Sequence, residues 1–162
     1  LFVTTAVEFY SLAREDGPSI WFLGTLITLK ATGKQTNGAY GLIEQKLPPG
    51  FAPPLHVHHN EDEAFYLLEG EASFTCGGQT VKAGPGSYIF FPRDIPHWFR
   101  IEGTEPARLL ELNIPAGLEQ FFVEVGEPAR ELTLPPAGPP DMAKLVSLAS
   151  KYNLEILGPP PA

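Results

Sequence analysis

The chain has 162 residues, 43% of them hydrophobic, and a formal charge of -8. This suits one folded domain with a sizeable core and argues against a disordered segment. The acidic balance excludes a basic footprint for nucleic acid or an anionic membrane surface. No run approaches the roughly 18 apolar residues of a membrane span. The single cysteine, Cys76, precludes an intrachain disulfide and fits a reducing, cytoplasmic setting. Because the chain starts at Leu1, secretion stays open as an alternative.

In chain order, residues 1–18 form a lead-in segment whose Phe9, Tyr10 and Leu12 are expected to pack on the domain edge. Ile20 to Leu29 is rich in β-branched and aromatic residues and predicts one or two strands. A polar loop over 32–38 precedes a strand from Tyr40 to Leu47, which Pro48-Pro49-Gly50 stops. The centre is a train of short strands: 55–58, 63–68, 71–75 paired with 79–83 across Cys76-Gly77-Gly78, 87–91, 97–101 and 107–113. Such even, short strands imply an all-β sandwich or barrel. Leu118 to Val125 predicts a short helix. Pro135 to Pro140 is a stiff connector. Asp141 is placed as a helix N-cap, with Met142, Leu145, Val146, Ala149 and Tyr152 at helical spacing and Asn153 as the stop. Gly158 onward is a tail. The expected division is a barrel domain over 1–134, including N-terminal strands, and a Pro-rich connector with a C-terminal helix over 135–162. That helix is expected to pack on the barrel or on a partner.

The chemistry centres on His56-Val57-His58. On a strand, alternation puts both imidazoles on one face. Glu63 follows after a turn, and a hairpin would aim it at the pair. His97 lies far along the chain, where a closed barrel can bring a fourth group into register. Three imidazoles and a carboxylate suit Fe, Mn, Ni, Cu, Co or Zn rather than calcium or magnesium. His59 is expected to point away, and Glu61 and Asp62 to form a solvated turn. Phe65 and Leu67 share the face of Glu63, and Phe99 that of His97. With Tyr88 and Phe90 they are the expected pocket lining, with barrel core as the competing role.

These residues carry a family resemblance. Gly50, His56-x-His58, Glu63 and Gly70 fall at the spacing of the first cupin motif. Gly86, Pro92 and His97 match the second, while Asp94 stands for its usual Gly and Ile101 for its frequent Asn. The chain thus resembles the cupins over about 40–113. It is most similar to quercetin dioxygenase-like cupins in phrases such as Pro53-Pro54-Leu55-His56-Val57-His58 and Phe91-Pro92-Arg93-Asp94-Ile95-Pro96-His97. The resemblance implies a cupin-type antiparallel β-barrel (a double-stranded β-helix or jelly roll) with a short C-terminal helix, and one divalent metal held by His56, His58, Glu63 and His97. It further implies Glu63 as the base, and a dioxygenase acting on a flavonol-like or other enolisable small molecule with dioxygen. A homodimer paired through edge strands is implied too. The alternatives are a metal-dependent isomerase or lyase on the same barrel, or a non-enzymatic small-molecule-binding barrel.

Overall fold

A computed structural model of the chain describes residues 6–162. Twelve strands and three helices follow in order. β1 (Ser19–Phe22) and β2 (Thr25–Ala31) form a hairpin. A one-turn helix α1 (Gly33–Thr36) leads to β3 (Gly41–Leu47). The central run is β4 (Leu55–His58), β5 (Asp62–Glu69), β6 (Glu71–Cys76), β7 (Gln79–Ala83), β8 (Tyr88–Phe91), β9 (His97–Glu102) and β10 (Ala107–Ile114). Then come α2 (Leu118–Val125), the two-residue β11 (Glu127–Pro128), α3 (Met142–Ala149) with a 3-10 turn at Ser150–Tyr152, and β12 (Leu154–Gly158).

The strands make two antiparallel sheets. One runs β11-β1-β2-β3-β10-β5-β8 and the other β12-β4-β9-β6-β7. The period-two patterning explains which faces turn inward. Ala107, Leu109, Glu111 and Asn113 of β10 are buried while their alternates are half-buried or exposed, and β9 buries His97, Phe99 and Ile101 in the same way. Between the sheets Phe65, Phe74, Phe91 and Phe99 join Leu47, Leu67, Ile101 and Leu109 in one apolar cluster. A second cluster puts Ile20, Phe22, Ile27 and Ile43 under Phe121 and Phe122 of α2 and Leu145 and Ala149 of α3. The C-terminal helix therefore packs on the chain's own strands. Its Asp141 cap accepts a hydrogen bond from the Lys144 amide at 2.9 Å.

Several expectations need revision. The polar loop over 32–38 contains a helical turn, closed by Gln35 Oε1 accepting from the Thr32 amide. Phe9 does not pack on the domain edge: it is 99% exposed, while Tyr10 only touches the body by donating its hydroxyl to Lys30 O. Between the Asn153 stop and the tail, where no strand was expected, Leu154 to Gly158 forms β12 on the edge beside β4.

Asp94, which stands where the motif it resembles has Gly, takes a conformation that Gly favours. Asp94 adopts φ 66°, a left-handed conformation that Asp tolerates better than most residues. Its amide donates to His58 O at 2.8 Å, so the turn into β9 is locked to β4. Gly70 is the one residue type for its place: φ is +88° and a Cβ would lie 2.8 Å from Ala107 Cα.

Candidate metal centre

Strand β4 presents His56 and His58 to the barrel interior, and β9 lies beside it with His97 in register opposite His56. Glu63 comes from β5 in the other sheet, so the four groups converge across the barrel. The expected β4–β5 hairpin does not form; the chain crosses between sheets at 59–61, and this crossing is what sets the carboxylate facing the imidazoles. One donor atom from each of His56, His58, Glu63 and His97 lies within 4.8 Å of all the others. All four side chains are buried.

Hydrogen bonds outside the cluster orient the rings. His56 Nδ1 donates to Pro54 O at 2.6 Å, and His97 Nδ1 donates to Ile95 O at 2.9 Å. Each Nε2 is thereby left as a lone pair aimed inward, the arrangement that metal-ligating histidines need. His58 Nδ1 lies 2.9 Å from Glu61 Oε1. Sequence reading put Glu61 in a solvated turn, yet it is only 4% exposed. A buried carboxylate three residues from His58 can be recognised only once the turn is seen to fold inward. Asp62 does sit at the surface end, paired with Arg93 at 3.2 Å, and His59 points outward to Asp94 and Glu155.

The donor set fits a cation by its own chemistry. His97 Nε2 lies 2.8 Å from Glu63 Oε2 and His58 Nε2 lies 3.1 Å from Glu63 Oε1. Neither ring nitrogen of His58 has an aligned hydrogen bond, although both are fully buried. Lone pairs gathered this closely repel unless a proton or a metal ion sits among them. In the metal-free protein a proton takes that place. Burial disfavours the His58 cation, but Glu63 and Glu61 outweigh it and raise its pKa to about 10. His56 goes the other way, to about 3, through burial and the neighbouring His58 and His97. Although burial opposes it, His58 and His97 hold Glu63 well below the usual carboxylate range. The cluster can thus hold a divalent transition metal.

Of the expected lining, Phe65 and Phe99 do border the cavity beside the cluster. Leu67 lies deeper in the apolar core, 1% exposed. Tyr88 and Phe90 are corrected: they are 64% and 48% exposed. On β8 it is Phe91 that faces inward, opposite Glu63. The motif's other departure, Ile101, belongs to the core at 1% exposure and takes no part in the lining.

The interior holds further polar groups, among them Gln45, Glu111, Asn113 and Glu119. Glu111 accepts from the Gln45 amide and, at 3.2 Å, from Asn113 Nδ2. Burial and then the charge of Glu63 push its carboxyl well above the ordinary range, which favours its protonated form. Gln45 and Glu111 both border the cavity. Alternation along β3 and β10 would have marked them as inward-facing. Glu119 is buried for a structural purpose, accepting from the amides of Gly33 at 2.7 Å and Gly117 at 2.8 Å. Gly41 leaves room for it, since a Cβ there would lie 2.4 Å from its carboxylate oxygen.

Comparison with known proteins agrees with this architecture. A cupin domain model matches residues 43–113. Quercetin 2,3-dioxygenase of Bacillus subtilis is 26% identical over 119 residues, 74% of this chain but 35% of that protein. The oxalate-binding protein of Thermotoga maritima is 32% identical over 78 residues, 48% of this chain and 64% of the relative. Among solved structures, a predicted oxalate decarboxylase from Thermotoga maritima superposes with a TM-score of 0.59 at 24% identity, covering 66% of this chain and 99% of that one. An RmlC-like cupin from Shewanella frigidimarina gives 0.58 at 17% identity, covering 70% and 96%. With its two-sheet barrel, its paired motifs and its interior His/Glu cluster, the chain carries a cupin domain over residues 43–113.

Proposed function

We propose that the protein is a metal-dependent oxidoreductase, a dioxygenase acting on an enolisable small molecule. The observation that carries this reading is the cluster of three inward Nε2 atoms and one carboxylate beside an apolar cavity. A divalent metal held by His56, His58, Glu63 and His97 would act there as a Lewis acid, lowering the pKa of an enol or hydroxyl. Glu63 is the base of this reading. Its carboxylate is kept ionised by His58 and His97 and is ready to take the enol proton on an Oε atom. Phe65 and Phe99 exclude water from the reacting group. The resemblance to quercetin 2,3-dioxygenase supports oxygen as the second substrate.

A second reading, an isomerase or lyase on the same centre, draws support from two adjoining carboxyls pushed in opposite directions, Glu111 up and Glu63 down. A carboxylic acid next to a carboxylate suits moving a proton between two positions of a substrate. Elemental analysis of protein purified without chelator, followed by oxygen-electrode assays on enolisable ketones, tests the proposal. Metal at one equivalent with substrate-dependent oxygen uptake supports it. Turnover under strict anaerobiosis would transfer the assignment to the isomerase or lyase, and protein that takes up no transition metal would remove both. A homodimer is part of the proposal: edge strand β8 exposes Tyr88 and Phe90, with Tyr66 beside them on β5. Sedimentation equilibrium decides that point.

A further inference from the structure

We infer that the metal centre selects a compact chelating ligand over a multi-ring one, and that the selection is made by α2, α3 and β12 rather than by the cupin motifs. The inference rests on the metal-dependent reading above and adds the size and shape of its substrate. The cavity beside the cluster has a volume of about 60 Å³. Pockets that take drug-sized molecules are roughly 300–1,000 Å³, so a three-ring flavonol does not fit this one. One wall is Phe121, Phe122, Leu145, Leu154 and Ile156, all beyond the matched stretch 43–113.

The wall is fastened on both sides, which is why its size counts. Leu154 and Ile156 pair in register with His58 and His56, so β12 is bonded to the strand that bears two of the ligating rings. Asn153 O accepts from the His59 amide at 3.0 Å, and Asn153 Nδ2 donates to Asn60 Oδ1 at 2.8 Å. Across the wall, Glu124 of α2 accepts from Tyr152 Oη at 2.6 Å and from Lys151 Nζ at 2.7 Å, tying α2 to the turn before β12. Leu145 is 2% exposed and wedged against the second apolar cluster. Opening the wall would break several of these contacts together. Gln45 and Glu111, buried and hydrogen-bonded to each other, give the cavity a polar edge beside its apolar one.

A matched pair of probes tests this on cobalt-loaded protein. Maltol and 3-hydroxyflavone share one chelating 3-hydroxy-4-pyranone head, and only the second carries fused and pendant rings. Each is titrated while the visible cobalt bands are followed. Maltol is expected to bind at least about tenfold tighter. Leu145→Ala and the milder Ile156→Ala, each checked by thermal melt, are expected to cut that preference at least about threefold by admitting the larger probe. Equal affinities in the unaltered protein overturn the size selection, as does a cobalt spectrum that neither probe perturbs. Selectivity that survives in folded forms of both variants overturns the assignment to the C-terminal wall. Protein that binds no cobalt overturns the metal-centred reading itself, and this inference with it.

Discussion

At one end of the barrel Phe65, Phe74, Phe91 and Phe99 interlock, with ring centroids 5.5–6.0 Å apart. At the other end Phe22 meets Phe121 and Phe122 at 6.0 and 4.9 Å, under two short helices. The first cluster is drawn from β-strands within the stretch that the cupin domain model matches. The second gathers residues from 20 to 154, and the four candidate ligands lie between the two. His97 illustrates the boundary: its ring stacks on Phe91 of the aromatic cluster at 4.3 Å while its Nε2 faces Glu63. The contrast teaches that the barrel end anchors the ligating groups, whereas the helical end shapes what reaches them.

The largest expected effect breaks the anchoring end. Phe74→Ala, at a side chain only 1% exposed, should lower stability by about 3–5 kcal/mol, read by urea denaturation. Loss of under about 1 kcal/mol would show that the aromatic cluster is not the anchor. Next, His58→Ala should weaken transition-metal binding by more than about 100-fold, measured by competition with a chromophoric chelator. Full retention of metal would remove the assigned centre. Glu61→Gln tests the orientation of His58 from behind, and should cost about 10–100-fold in metal affinity with the fold intact. Unaltered affinity would make Glu61 a bystander.

A pH series sharpens the comparison further. His58 holds its proton up to about pH 10 in the metal-free protein, so metal must expel that proton to bind below this pH. Affinity should therefore rise with pH, about tenfold per unit while one proton is displaced. His56, at about 3, is already neutral and adds nothing to the slope near neutrality. Calorimetry in buffers of different ionisation enthalpy should find about one proton released; zero would contradict the charged His58. The smallest effect belongs to the helical end. Asp141→Ala removes the cap of α3 and should cost about 1 kcal/mol of stability. Its metal affinity should not change, since the cap lies away from the ligands.

Much of the fold was legible because its signals are local. Strands such as β4, β7 and β8 announce themselves through short apolar runs between Gly and Pro turns, and α2 and α3 through helical spacing and Asp141. The outward-facing Tyr88 and Phe90 were misjudged because β8 is an edge strand whose alternate residues are all apolar, leaving no pattern to choose a face. The strand β12 was missed because its pairing partner β4 lies almost a hundred residues back along the chain.

By itself the sequence determined the strand-rich barrel and the identity of the four convergent side chains, since motif spacing and period-two alternation are properties of the chain alone. Only the tertiary structure decided that Glu63 reaches the imidazoles across two sheets, that Glu61 folds in behind His58, and that Gln45 and Glu111 share the interior. It also decided that helices and a strand far along the chain close the cavity. Those outcomes depend on which distant segments pack together, and burial and electrostatic environment exist only once they do.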